Sequence, residues 1–471
     1  MNNYKKLVSN SLVFAIGNLG TKLIIFFLVP LYTYYLTTSE FGLVDLLTTT
    51  INLLLPIFTM SISQSVLRFV MDKNYDKHAV LINSLVVIFI GFILLLMCYP
   101  IFSALLPLDG FIIYFYLLLM MQSIYNVLAE YIRAKGRIRL FAISGIINAC
   151  ILLICNLIFL VIFKMGIVGY LVSIIIAHIF SSIFVSIGGG IYRDIYVKKV
   201  NIKLMKEMLI YSIPLMPNAL MWWIMGLSDR FIITYFLGLS ANGIYAVANK
   251  IPSILNIVHS IFFQAWQMSA IEEAGSKDKS RFFTNVFSVF SVTMLISTSV
   301  LIVHLKIIIE IIIAGSYFQA WKYVPFLLLG AVFSSFSGFL GTNYIAAKRT
   351  TGVIKTSATG AILNIVFNII LIPSIGIYGA AFGTMLSFAV IWILRIKDTK
   401  KFVNIKLNVK NLLLTLIIIF IQIGVLYINL DFEYLLQLSL LSIIIIINLK
   451  EIKLIIFKLT EFVTNKLKKS R

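Results

Sequence analysis

Charged side chains stand inside several strongly apolar stretches of this sequence. The clearest are Lys22, Glu130, Asp229, Arg230 and Lys250, with Asp45 nearer the end of its stretch. If such a stretch crosses a bilayer, a central charge costs about 2.5–3.5 kcal/mol on insertion scales, so the group usually faces a water-filled cavity or an ionic partner. Glu130 has Arg133 three residues on, which predicts a helix-end ion pair. The basic members predict an anion site within the membrane, because both arginine and lysine bind phosphate.

Two of these cations are predicted to lie at one depth. Arg230 stands seven residues before Leu237, and Lys250 stands seven residues after Gly243. At about 1.5 Å per residue, both side chains start about 10 Å below the outer turn between Leu237 and Gly243. Arg230 and Lys250 are therefore expected to share one layer of the protein.

Two interpretations of the charges follow. Asp229 and Arg230 are adjacent, so they point about 100° apart on a helix and are not expected to pair with each other. In the first interpretation Asp229 and Lys250 form a structural ion pair, and Arg230 extends to the outer headgroups. In the second, Lys22, Arg230 and Lys250 form a cationic site for a phosphate. Asp229 then serves as the charge partner.

The apolar stretches themselves have the length of membrane-spanning helices. The chain has 471 residues, of which 61% are hydrophobic and 12% are charged, and a water-soluble fold would leave much of this apolar surface exposed. A helix crosses a bilayer with about 20 apolar residues. The sequence predicts about fourteen spans, near residues 11–36, 42–67, 79–103, 111–132, 140–163, 167–191, 209–237, 243–270, 282–304, 323–346, 355–373, 377–396, 411–430 and 434–449.

Basic residues set the predicted orientation, with both termini in the cytoplasm. Most of the 39 lysines and arginines then fall inside, as the positive-inside rule requires. The net charge of +21 is thereby explained without a nucleic-acid partner. The segment 450–471 is basic and amphipathic, which predicts a helix on the inner membrane surface.

An internal repeat is also present. Residues 36–56 align with residues 237–257, an offset of 201, so that Gly42 matches Gly243. Polar residues recur along one face of the following helix in both copies, at helical spacing. This polar stripe comprises Asn249, Ser253, Asn256, Ser260 and Gln264 in the second copy, and Thr48, Asn52 and Thr59 in the first.

Small residues support the same repeat at an offset of 210. Gly169 with Ser173 matches Gly379 with Gly383, a spacing typical of close helix contacts in membranes. The fold class predicted is an all-α polytopic membrane protein with two parallel six-helix lobes around a central cavity, as in transporters. The predicted divisions are an N-terminal lobe at 1–208, a C-terminal lobe at 209–400, two further helices at 401–449 and the tail at 450–471.

The usual sequence signatures of catalysis are missing. The chain contains no Walker loop, HExxH, paired CxxC or GxSxG sequence, and no loop long enough for a catalytic domain. We therefore predict that the protein is not an enzyme and that it needs no metal or other cofactor. A proton gradient, a sodium gradient or the membrane potential would drive transport.

Around the seventh and eighth spans the sequence resembles the polysaccharide transporter family, of the superfamily that also holds the multidrug and toxin extruders. SIPLMPNAL, from Ser212, precedes LSDRFIITYFLGLSANGIYAVANKIPSIL. It contains the family's "DR…LG…GIY" pattern, here Asp229, Arg230, Leu237, Gly238, Gly243, Ile244 and Tyr245. SEFGLVDLL, from Ser39, and GIYGAAFGTMLS, from Gly376, resemble further parts of the family, so the likeness covers essentially the whole chain.

This resemblance implies a flippase of the bacterial plasma membrane. Its cargo would be an undecaprenyl-diphosphate-linked oligosaccharide of capsule, O-antigen or a related polysaccharide, moved to the outer leaflet by alternating access. The cations would then hold the diphosphate and the polar stripe would meet the sugar. The implied partners are the lipid bilayer and the polymerase and glycosyltransferases of the same pathway.

Other functions remain open on the sequence. A flippase for a teichoic-acid or peptidoglycan lipid precursor relies on the same physical features. A cation-coupled multidrug exporter would favour buried carboxylates, whereas these spans hold more bases than acids. A scaffold protein of envelope assembly would not need the repeated polar stripe.

Overall fold

The computed structural model confirms the all-α membrane class. It describes residues 2–72, 74–105, 110–194, 200–272, 278–346, 350–401, 403–406, 408–428 and 430–453, and these ranges contain helices and no strand. Within them, eleven helices are long and apolar enough to cross a membrane. Helices also lie at the other predicted spans, at Leu19–Tyr35, Pro252–Glu272 and Glu433–Ile447. The predicted amphipathic tail lies outside the described residues from position 454 onward.

The chain divides into two compact units, Met1–Val247 and Ala248–Arg471. The first unit contains α1 Asn2–Tyr35, α2 Thr38–Phe58, α3 Ile62–Met71, α4 Lys77–Met97, α5 Tyr99–Leu105, α6 Ile112–Ala134, α7 Ile138–Asn156, α8 Gly166–Gly189, α9 Ile202–Ser212, α10 Met216–Leu227 and α11 Asp229–Ala248, whose last residue opens the second unit. The predicted boundaries at 208, 400 and 449 stay predictions.

The second unit continues from α11 with eight helices in the part of the chain that the structure describes. They are α12 Pro252–Glu272, α13 Lys279–Val303, α14 Leu305–Ile312, α15 Val324–Ala346, α16 Thr350–Ile375, α17 Ile377–Thr399, α18 Val409–Ile428 and α19 Glu433–Ile447.

The second predicted span is broken in two. Its first part, α2, begins with a capping box in which Thr37 and Glu40 satisfy each other's backbone N–H groups. After α2 ends, Met60 and Ser61 adopt left-handed backbone angles, with φ of 50° and 51°. Such angles are uncommon for residues other than glycine, so surrounding packing must hold the break in place.

The seventh predicted span is also interrupted. Helix α9 gives way to a 3-10 turn at Ile213–Leu215 before α10 begins. Pro214 and Pro217 lack the N–H group that a continuous helix would need there. The indole nitrogen of Trp223 donates to the backbone oxygen of Thr49 at 3.0 Å, which fixes α10 against α2.

Repeat-related glycines meet within the first unit. A Cβ atom on Gly42 would lie 1.9 Å from the backbone oxygen of Leu239, and one on Gly243 would lie 1.9 Å from that of Thr38. Asn242 donates to the Gly42 carbonyl at 2.8 Å beside them. The start of α2 and the later part of α11 can approach this closely only because neither glycine carries a side chain.

The predicted small-residue contacts occur in each unit. In the second, a Cβ on Gly379 would lie 2.3 Å from the carbonyl carbon of Leu371, where α17 packs on α16. In the first, a Cβ on Gly169 would lie 3.1 Å from the backbone oxygen of Phe159. Both glycines therefore permit the close helix approach that their spacing predicted.

The carboxylate of Asp194 connects the ends of α6 and α8 in the first unit. Asp194, after α8, accepts from Lys135 Nζ at 2.5 Å and from the Tyr131 hydroxyl at 3.0 Å, both at the end of α6. Burial alone would raise the pKa of Asp194, but these two hydrogen bonds and the charges of Lys135 and His78 outweigh it. They hold that pKa below its ordinary value.

Candidate functional site

Arg230 lies buried between two carboxylates in the first unit. Its Nε donates to Asp45 at 2.8 Å and its Nη1 to Asp229 at 3.1 Å. The three side chains are 8%, 12% and 3% exposed, in the order Arg230, Asp45, Asp229. Asp45 comes from α2 and the other two from the start of α11, so the ion pair with Asp45 ties these helices together. We call these three residues the arginine cluster.

Tyr245 completes the surroundings of the arginine cluster. Its hydroxyl donates to the second oxygen of Asp229, and its ring lies 5.7 Å from the guanidinium carbon of Arg230. Tyr245 is fully buried on the later part of α11. The turn at Gly238, with φ of 86°, interrupts α11 between these residues.

The expectation that Asp229 and Arg230 do not pair is wrong. It considered only the directions in which adjacent side chains leave a helix. The long arginine side chain instead folds back along its own helix, where Nη1 also donates to the Gly226 carbonyl at 3.1 Å. The expectation that Arg230 extends to the headgroups, unattached to a carboxylate, is wrong for the same reason. Asp45 was recognisable as a charge in an apolar stretch, but its partner was not.

Arg230 nevertheless keeps donors to spare. Its Nη2 group has no hydrogen-bond partner in the ranges that the structure describes. A guanidinium carries five N–H groups in a planar fork. The hydrogen bonds to Asp45, Asp229 and Gly226 therefore use Nε and Nη1 and leave the Nη2 hydrogens without an acceptor among the described residues.

The predicted lysines occupy separate elements. Lys22 is half-buried on α1. Lys250 is half-buried in the second unit, in the turn that separates α11 from α12, and its carbonyl accepts the Ser253 hydroxyl at 2.5 Å. The grouping of both lysines with Arg230 stays a prediction. Glu130 forms the predicted helix-end pair with Arg133, at 3.1 Å.

The first-unit part of the polar stripe divides by its hydrogen bonds. Thr48 and Thr59 donate to carbonyls of their own helix, at 3.0 Å to Val44 and 2.6 Å to Leu55. Asn52 is exposed and lines a cavity. Asn52 is thus the member of this part whose polar group is presented to a ligand-sized space.

The second-unit part of the polar stripe begins in the turn before α12 and continues along that helix. Asn249 is half-buried in the turn, and Asn256 is exposed on the helix. Ser260 donates to the Ile257 carbonyl at 2.9 Å, within its own helix. The side chain of Gln264 lies outside the described part of the chain.

The cavity next to Asn52 has a volume of about 440 Å³, within the range of about 300–1,000 Å³ typical of small-molecule sites. Its polar lining comprises Asn52, Ser61, Ser63, Gln64 and Asn218. These residues come from α2, from the break after it, from α3 and from α10. The break after α2 and the break between α9 and α10 thus border one polar space, which we call the carboxamide cavity.

Comparison with known sequences gives a family and two relatives. A family model described as polysaccharide biosynthesis protein matches residues 7–267. An uncharacterised membrane protein of Methanocaldococcus jannaschii is 30% identical over 256 residues, 51% of this chain and 50% of that protein. A probable low-salt glycan biosynthesis flippase of Haloferax volcanii is 35% identical over 96 residues, 20% of each chain. The chain thus matches half the length of the first relative and a fifth of the second.

Comparison with solved structures identifies the fold. The lipid II flippase MurJ, in an inward closed conformation, matches with a TM-score of 0.73 at 13% identity, covering 95% of this chain and all of that one. An inward-facing multidrug transporter of the MATE family matches with a TM-score of 0.66 at 13% identity, covering 82% of this chain and 98% of that one. At such identities the likeness concerns the fold.

Proposed function

Since the chain belongs to the polysaccharide biosynthesis protein family, we propose that it is a flippase for lipid-linked oligosaccharide. The cargo is an undecaprenyl-diphosphate-linked repeat unit of a surface polysaccharide, moved from the inner to the outer leaflet of the bacterial plasma membrane by alternating access. The observation that carries the proposal is the family match, because residues 7–267 include the arginine cluster and the carboxamide cavity. The MurJ-like fold supports it.

The diphosphate is assigned to cationic side chains. Nη2 of Arg230 provides a donor that is not committed to a carboxylate, and Lys22 and Lys250 provide two further positive charges. A membrane-embedded diphosphate needs such partners, because an unpaired charge in a low-dielectric environment is strongly disfavoured. The lipid tail remains in the bilayer, and either the membrane potential or an ion gradient drives the transfer.

Reconstituted transport tests the proposal directly. We expect proteoliposomes that contain the protein to expose a fluorescent undecaprenyl-diphosphate-linked oligosaccharide to an added lectin faster than protein-free vesicles do. Disruption of the gene should also remove the surface polysaccharide from cells. Equal exposure with and without the protein would contradict the proposal.

A peptidoglycan lipid precursor is the second candidate cargo. The specific observation in its favour is the fold shared with a lipid II flippase over 95% of the chain. The same proteoliposomes separate the two candidates. If the cargo is a peptidoglycan precursor, lipid II should be transported faster than the oligosaccharide lipid. Raised drug resistance on overexpression would instead favour an exporter.

A further inference from the structure

Two helix breaks in the first unit fall within the second and seventh predicted spans and need a physical reason. Non-helical backbone within the hydrocarbon region is tolerated where it is buried in protein or lines a water-filled space. Met60 and Ser61 form one break, and the 3-10 turn ending at Leu215 forms the other. Ser61 and Leu215 both line the carboxamide cavity. Both breaks therefore border a ligand-sized space with a polar lining.

The chemistry of this cavity is polar but uncharged. None of its lining residues is ionisable, and its polar members are amides and hydroxyls. Asn52, Gln64 and Asn218 are exposed, and their side-chain carboxamides have no hydrogen-bond partner in the part of the chain that the structure describes. Each carboxamide offers both donors and an acceptor. Such a lining suits an uncharged ligand rich in hydroxyl or N-acetyl groups.

The cavity has a fixed relation to the arginine cluster. Asp45 and Asn52 are seven residues apart on α2, which places them on nearly the same face, about 10 Å apart along the axis. Asp45, nearer the start of α2, pairs with Arg230. Asn52, two turns later on the same helix, borders the cavity. A single ligand lying along this face would present an anionic group to Arg230 and an uncharged group to the cavity.

We infer that the carboxamide cavity binds the first uncharged sugar of the cargo, a hexose or N-acetylhexosamine, while the adjoining diphosphate lies against Nη2 of Arg230. This inference rests on the proposed function and assigns the sugar end of the same ligand. The apolar wall of Leu55 and Pro56 contacts the less polar face of the ring. A carboxylate-bearing sugar at this position is disfavoured, because the lining supplies no cation to pair with it.

Binding of two lipids to the full-length protein in nanodiscs tests the inference. The probes are undecaprenyl diphosphate and the same lipid carrying one N-acetylglucosamine. The wild-type protein should bind the glycosylated lipid more tightly. In the double variant Asn52→Leu with Asn218→Leu, this preference should fall by about 25-fold. The loss of each neutral hydrogen bond accounts for a factor of about five. Affinity for the bare diphosphate lipid should stay unchanged.

Controls keep the outcomes separate. Gln122→Leu removes a half-buried carboxamide on α6 that does not line the cavity, so it should retain the preference. The single variants Asn52→Ala and Asn218→Ala, at exposed positions, serve if the double variant does not fold. The sugar subsite is overturned if the preference for the glycosylated lipid survives substitution of both Asn52 and Asn218. It is also overturned if the wild-type protein shows no such preference. Binding of neither lipid by the wild-type protein overturns the proposed function itself.

Discussion

Arg230 lies between two carboxylates, and their hydrogen bonds occupy only part of its guanidinium group. Asp45 and Asp229 hold the guanidinium in one position, and Nη2 has no acceptor among the residues that the structure describes. Truncation would leave both carboxylates buried without this partner, which in soluble proteins costs about 3–5 kcal/mol. A loss of activity on truncation alone therefore cannot separate a binding role from a structural one.

A charge-neutral variant makes that separation. We predict that Arg230→Ala abolishes surface polysaccharide. We also predict that Asp45→Asn, Asp229→Asn and Arg230→Met combined give a protein that accumulates normally but stays inactive, because the guanidinium that binds the diphosphate is gone. Polysaccharide on the cell surface and protein in the membrane fraction are the measurements. Restored polymer in the triple variant would make the cluster purely structural.

At the scale of the helices, α2 of the first unit combines a closely packed start with a break at its end. The start of α2 packs backbone to backbone on the later part of α11 through Gly42 and Gly243. Further along, α2 ends at the left-handed turn beside the carboxamide cavity. Along its length, α2 thus provides first the glycine contact, then the ion pair of Asp45 and last one wall of the carboxamide cavity.

The glycine contact gives a prediction about stability. Gly42→Ala should lower the thermal unfolding temperature in detergent, because its Cβ would collide with the Leu239 backbone and such overpacking costs about 1–3 kcal/mol. Gly226→Ala is the matched control, since a Cβ there meets nothing within 4 Å. That helical substitution should be neutral or stabilising by about 0.4–1 kcal/mol. Equal unfolding temperatures for the two variants would contradict the packing argument.

At the scale of the whole molecule, the two compact units share a pattern of small-residue helix contacts. Gly169 in the first unit and Gly379 in the second each lie against a neighbouring helix. Helices lie at each of the predicted spans, and if each span crosses the membrane once, their even number predicts both termini on one side. The distribution of basic residues predicts that this side is the cytoplasm.

Cysteine labelling tests the predicted orientation. In a background without Cys98, Cys150 and Cys155, we expect Asp431→Cys to react with a membrane-impermeant maleimide on intact cells. Arg139→Cys should react only after permeabilisation. Both positions are exposed in the structure, so side-chain burial does not prevent labelling. The reverse pattern would contradict the inside location of the termini.

Local spacing made much of the fold predictable. Apolar runs of sufficient length determined the helices, because a bilayer leaves the backbone few alternatives to internal hydrogen bonding. The pairing of Glu130 with Arg133 followed from their separation of three residues, which a helix converts into proximity. Glycine spacing likewise predicted the close contacts of Gly169 and Gly379.

The sequence by itself thus determined the membrane class, the helix positions and which charges needed an explanation. Tertiary structure decided their partners: Asp45 reaches Arg230 across 185 residues of chain, a distance that no helical period encodes. It also decided that two helix breaks border a single cavity. The physical reason is that a helix fixes relations within a few turns, whereas contacts between helices depend on how separate elements pack.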